Sequence, residues 1–191
     1  MALTIENHVY REGEGIPLIL VHGFPVDHRM WDRCATALME MSDAQECTQY
    51  PIWAPDMPGA GASPVPRPED SGARAEDGAL PDALDLMADA YVDLLHAAGY
   101  GQAIWAGLSM GGYLVLDVQR RHPEAVAGMA LLDTKGDADA PASRAHRIEI
   151  ARECVQRHTT DPVMFFTEVQ PGDSTVKQSP DYISQFSTWL R

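Results

Sequence analysis

At 191 residues and 45% hydrophobic content, the chain is long enough for one domain with a sizeable core. No stretch approaches the roughly 18 apolar residues of a membrane span. A formal net charge of −14 sets the protein against nucleic acid and anionic membrane as partners. The start, Met1-Ala2-Leu3-Thr4-Ile5-Glu6, carries neither basic residues nor an apolar run, so no signal peptide is expected. Three cysteines at unpatterned spacing, Cys34, Cys47 and Cys154, indicate free thiols and a reducing, cytoplasmic compartment. Cys34 and Cys154 fall within helical patterns and read as core fillers. No Cys/His spacing suggests zinc and nucleotide-binding signatures are absent, so neither metal nor cofactor is expected.

Taken in chain order, the first element is the apolar run Ile16-Pro17-Leu18-Ile19-Leu20-Val21, the pattern of a central parallel strand buried on both faces. It passes directly into His22-Gly23-Phe24-Pro25, and His28 opens the helix that follows. A second strand begins at Ile52-Trp53-Ala54-Pro55 and gives way to the Gly-rich loop Asp56-Met57-Pro58-Gly59-Ala60-Gly61-Ala62-Ser63. Residues 64–81 are rich in Pro, Gly, Ala and acids without periodicity, which predicts a mobile loop. From Leu80 onward, Leu84, Met87, Tyr91, Leu94 and Leu95 make one apolar helix face. Asp85, Asp89 and Asp93 fall at four-residue spacing on the other face, which reads as a solvated surface rather than a cation ladder.

The most informative stretch is Gly107-Leu108-Ser109-Met110-Gly111-Gly112. Ahead of it, residues 102–106 (Gln102-Ala103-Ile104-Trp105-Ala106) read as a short buried strand. Behind it, residues 113–122 read as a helix stopped by Pro123. A serine between strand and helix, with glycine two residues away on each side, is the context of a nucleophile elbow. The turn is tight, so the flanking strand and helix leave room only for very small residues at Gly107 and Gly111. The alternative is a Gly-rich turn that happens to contain a serine. A serine nucleophile also needs two backbone N–H groups aimed at the oxygen that turns negative in the tetrahedral intermediate. Met110, the residue after the serine, supplies one, and Phe24, on a loop after a neighbouring strand, is the candidate for the other.

Through His22-Gly23-Phe24, the loop from Asp56 to Ser63 and the Ser109 motif, the chain resembles the α/β-hydrolase superfamily over roughly residues 3–135. The residue choice is most similar to its small esterase, enol-lactonase, aminopeptidase and non-haem haloperoxidase branches. The resemblance implies an α/β fold with a mostly parallel sheet, a core over residues 1–138 and part of a helical lid over 139–191. Residues 125–133 read as the strand after the nucleophile helix. Residues 141–158 read as a helix, with Ile148, Ile150, Ala151, Cys154 and Val155 recurring. Residues 162–191 mix apolar clusters with Gln170-Pro171-Gly172-Asp173-Ser174 and Ser179-Pro180, as in such a lid.

The family order of catalytic residues is serine, acid, histidine, and here the ending lacks a late Gly-Asp turn and a late Gly-His. Asp133, at the carboxyl end of its strand where ligands bind in open α/β sheets, is the candidate acid; the alternative is an Asp that opens a loop or caps Thr134-Lys135-Gly136. Asp137 and Asp139 read as loop solvation. Of the histidines, His22 belongs to the oxyanion loop, His96 and His122 sit near helix ends, and His146 and His158 read as solvated lid residues; His8 and His28 suggest no role as base. The expectation is therefore an N-terminal part of a serine hydrolase of small esters, lactones or amides, missing its last strands and its base. Gly23, Phe24 and Trp31 would line an apolar substrate site beside Ser109, although Trp31 also suits a helix core. The alternative is an inert or binding-only protein. By the same resemblance, the strand at 125–133 ends as a sheet edge and invites self-association.

Overall fold

The computed structural model describes residues 3–166, 172 and 177–190. The chain divides into two compact units, residues 3–74 with 80–136, and 75–79 with the described residues from 137 on. Residues 75–79 of the 64–81 loop thus belong to the second unit.

In the first unit five strands form one sheet in the order β1-β3-β2-β4-β5. They are β1 (Asn7–Arg11), β2 (Leu18–Val21), β3 (Ile52–Pro55), β4 (Ala103–Leu108) and β5 (Val126–Leu132). β1, which the apolar patterning did not single out, pairs antiparallel with β3; the remaining pairs are parallel. Parallel neighbours need long crossovers, and α1 (Asp32–Ala44), α2 (Ala83–Ala97) and α3 (Met110–Arg121) lie in them. The expected elements are present with shifted ends. β2 starts two residues later than its apolar run, β4 continues to Leu108, and α3 begins at Met110 rather than Tyr113.

Strand alternation divides the core between the two sheet faces. Ile19, Val21, Trp53 and Trp105 pack with Tyr91, Leu95, Leu114, Val115 and Val118 from α2 and α3. Leu20, Ile52, Ala54 and Ala106 pack with Trp31 and Ala35 on the α1 side. Two polar tips buried in the first layer are satisfied, Trp105 Nε1 donating to Ala125 O at 3.0 Å and Tyr91 OH to Pro55 O at 2.8 Å, whereas the buried Trp53 Nε1 has no hydrogen-bond partner. Among the described residues β5 pairs with no strand but β4. Ile104, Met129, Leu131 and Leu132 are 38–46% exposed there.

Three expectations are corrected by packing. Asp85 and Asp89 are not a free solvated face: Arg121 on α3 bonds both, and His122 Nε2 lies 2.7 Å from Asp89. Charge complementarity between adjacent helices, invisible in either helix alone, makes that pairing. Cys34 is exposed, not core, because Ala35 takes the inward position on α1. Cys154 is only half-buried rather than a core filler, because α4 (Pro141–Arg157) in the second unit buries none of its residues, Val155 being 72% exposed.

The second unit also holds α5 (Pro180–Trp189). Asp77 pairs with Arg144 at 2.5 Å, and its carbonyl accepts from Arg152. Among the described residues of this unit Val163, Phe186 and Leu190 are the buried apolar side chains, and Trp189 packs edge-on to Tyr182. Of the Gln170–Ser174 turn, all but Gly172 lies outside the described residues. No described helix is long and apolar enough to cross a membrane.

Candidate active site

Ser109 is the single residue between the end of β4 and the start of α3. Its backbone sits at φ 53°, ψ −114°, a conformation that costs a non-glycine residue on the order of 1–3 kcal/mol and persists only where the surroundings impose it. The surroundings do so from three sides. Ser109 N–H donates to Leu132 O at 3.0 Å, and Ser109 O accepts from Gly112 N–H at 3.0 Å. That same carbonyl accepts from Thr134 Oγ1 at 2.7 Å.

The flanking glycines are required by backbone contact. A Cβ on Gly107 would lie 2.4 Å from Gly111 O, and one on Gly111 would lie 2.2 Å from Val21 O. The first turn of α3 therefore rests directly on the end of β2. A Cβ on Gly112 would meet Thr134 at 2.5 Å, so the third glycine of the motif admits the side chain that holds Ser109 O.

Because Val21 pairs with Gly107 in register, the residues just after β2 lie beside those just after β4. Gly23 is the closest of them: a Cβ there would be 3.4 Å from Ser109 Cβ and 3.1 Å from Leu108 Cδ2. Phe24 follows, 39% exposed, joined to Pro25 by a cis peptide. Met110 is the first residue of α3, where a helix has no internal acceptor for the amide N–H. Ser109 itself is half-buried.

The loop carrying Phe24 is tied down at both ends. At its start, buried His22 has Nδ1 3.0 Å from Gly23 O and Nε2 2.8 Å from Met57 N. A carbonyl only accepts and an amide only donates, so Nδ1 carries the proton and Nε2 is bare. Burial pushes the His22 pKa below the ordinary histidine value, consistent with that neutral form. At its end, His28 N–H donates to Asp56 Oδ1 at 2.8 Å, and His28 Nδ1 lies 2.9 Å from both Asp56 oxygens.

Asp56 is 1% exposed and the Gly-rich loop is curled around it. Ala62 N–H donates to Oδ2 at 2.9 Å. A Cβ on Gly61, at φ 51°, would lie 2.1 Å from that same oxygen. Ser63 Oγ donates to Asp56 O at 2.6 Å and accepts from Glu6 N–H at 2.9 Å. Next to it, burial works against the Asp27 charge, but hydrogen bonds from Arg29 outweigh it and hold the carboxyl below its usual range. Asp27, His28 and Asp56 could together face a cation, yet their oxygens already take N–H donors.

The other expected residues are placed as follows. Asp133 follows β5 in the left-handed region at φ 42° and is exposed; its neighbours Leu132 and Thr134 touch Ser109, as above. Trp31 is 5% exposed and packs in the α1-side core, as in the helix-core alternative. His8 stacks on His28 with ring centroids 4.3 Å apart, and His122 is engaged with Asp89. Sequence reading missed Asp56 and Thr134. The available signal for Asp56 was a carboxylate opening a loop with three small residues at Gly59, Ala60 and Gly61.

Comparison with known proteins agrees with this fold. The family model described as alpha/beta hydrolase fold matches residues 16–158. A lipase of Mycobacterium tuberculosis, LipV, is 31% identical over 133 residues, covering 69% of this chain and 42% of its own. A 2-hydroxymuconate semialdehyde hydrolase of a Pseudomonas species is 29% identical over 136 residues, 71% of this chain and 42% of the relative. The solved structure of a thermophilic esterase from Thermogutta terrifontis superposes with a TM-score of 0.72 at 27% identity, covering 98% of this chain and 61% of that one. The chain therefore spans less than half the length of those two curated relatives.

Proposed function

Because the chain belongs to the α/β-hydrolase fold family, we propose that it carries the nucleophile half of a serine hydrolase acting on small esters, lactones or amides. The observation that supports this most directly is Ser109, held at φ 53° on the elbow with Gly23 against its Cβ. Ser109 Oγ attacks the substrate carbonyl as its proton passes to a base. The carbonyl oxygen becomes an oxyanion held by the N–H groups of Phe24 and Met110. Collapse expels the alcohol or amine, which takes up a proton and leaves an acyl ester on Ser109 for water to cleave.

His22, His28 and His122 are each bonded to other partners, so this reading assigns the base to a group other than these three. Without a base, Ser109 stays a protonated alcohol, and only about 10³–10⁴ over water would survive. Apolar Phe24, 39% exposed and next in the chain to Gly23, favours an apolar acyl group.

The test is intact-protein mass spectrometry before and after exposure to a fluorophosphonate. One adduct that disappears in Ser109→Ala is the expected result. A protein that stays unlabelled at millimolar reagent, while folded, would overturn the hydrolase reading in favour of a binding-only role.

A further inference from the structure

We infer that His22, His28 and Asp56 form a two-point clamp that fixes the loop from residue 22 to 28, and with it the Phe24 N–H, against the nucleophile elbow. The inference rests on the reading of Phe24 as an oxyanion donor. It adds three positioning residues, none of which touches substrate.

The geometry is specific. The loop leaves β2 at Val21, passes Ser109 at Gly23, and reaches the turn His28–Trp31 that leads into α1. Both of its anchors lie on one short stretch after β3. Met57 N–H holds His22 Nε2 at the entry, and the Asp56 carboxylate holds His28 N–H and Nδ1 at the exit. The stretch after β3 is itself braced to the strand-1 side through Asp56 N–H to Glu6 O at 2.9 Å and through Ser63. A donor on a loop free at either end would not hold a fixed distance to Ser109. Oxyanion donors are effective because they are in place before charge develops. The Gly59–Ser63 loop then has a purpose beyond turning the chain: Gly61 and Ala62 close around Asp56 so that its carboxylate stays dry and fully bonded.

His28 is the best probe, since its side chain is 17% exposed and its removal leaves Asp56 two backbone donors. The variants are His28→Ala, which removes one tether, and His28→Asn, whose amide can replace the Nδ1 donor. Two readouts apply to the full chain. Hydrogen exchange over residues 22–28 should rise about tenfold or more in His28→Ala, with β4 amides unchanged, and return to within about threefold of wild type in His28→Asn. The fluorophosphonate labelling rate of Ser109 should fall about tenfold and recover in parallel, a fraction of the ~10²–10³ lost when a donor is removed outright.

Unchanged exchange in His28→Ala would overturn the clamp. So would faster exchange with an unchanged labelling rate. Should the wild type itself not be labelled, the hydrolase reading falls, and exchange across 22–28 alone decides whether the clamp exists.

Discussion

Replacing Gly111 by alanine tests the elbow where its steric argument is sharpest. The added Cβ would stand 2.2 Å from Val21 O and 2.7 Å from His22 O, whereas real Cβ contacts essentially never fall under 3.0 Å. Either the first turn of α3 or the end of β2 must move by about 0.8 Å, and both obstacles are backbone atoms. Two effects compete in stability. Alanine gains up to about 1 kcal/mol over glycine in a helix, while overpacking costs about 1–3 kcal/mol. The net loss is about 1–2 kcal/mol, which lowers Tm by about 2–8 °C for a chain of this size.

Chemistry should suffer more, because Met110 N–H and Ser109 move with the turn. A misplacement near 1 Å costs about 10²-fold in rate, so labelling of Ser109 by a fluorophosphonate should slow about 100-fold in a protein still folded. The assay follows adduct mass against time beside a thermal melt. Gly101→Ala serves as control, since nothing lies within 4 Å of its Cβ position, and should stay within about 0.5 kcal/mol of wild type. A folded Gly111→Ala labelled within threefold of the wild-type rate would refute the claim that the glycine sets the elbow.

Three further outcomes follow from the same contacts. Ser109→Gly removes the strain of φ 53° and should raise Tm by about 2–4 °C while abolishing labelling; a lower Tm would show that the elbow is not strained. His22, kept neutral by burial, binds a proton more readily unfolded than folded. Its contribution is therefore fully present above the ordinary histidine value of about 6.5 and is lost as pH falls below it, by at most about 1.4 kcal/mol per unit. Chemical denaturation of wild type and His22→Gln between pH 7 and 5 should show the shallower slope in the variant, and equal slopes would refute the assignment. Finally, the β5 edge, unpaired on its outer side among the described residues and carrying exposed Met129 and Leu131, should drive self-association. Sedimentation velocity should find oligomers that Leu131→Lys disperses, and a clean wild-type monomer would count against the edge as a contact.

How much of this was legible in the sequence depends on the range of the physics involved. The buried strands at Ile19 and Trp105 announce themselves because a strand covered on both faces must be apolar throughout. Gly107, Ser109 and Gly111 are legible because their constraint acts within one turn of chain. β1 was not, since Asn7–Arg11 forms an edge with mixed exposure and owes its existence to β3 rather than to its own pattern. Cys34 was misplaced by a helical period that could not say which neighbouring residue, Cys34 or Ala35, faces inward. The Asp85–Arg121 and Asp89–Arg121 pairs join residues more than 30 positions apart, and each helix taken singly shows only a charged face.

Asp56 belongs to this last class, and it carries the most consequence. Its oxygens gather one donor from nearby Ala62 and others from His28, which follows β2 and reaches Asp56 only because β2 and β3 are paired. The carboxylate is buried and charged, an arrangement that costs several kcal/mol unless every lone pair finds a donor. A loop that satisfies it completely, and that excludes a Cβ at Gly61 to do so, is built around the charge. The nucleophile motif is readable because a strained serine leaves its mark on residues two positions away. The loop after β2 leaves its mark on a strand about 30 residues further along, where only the folded sheet brings cause and effect together.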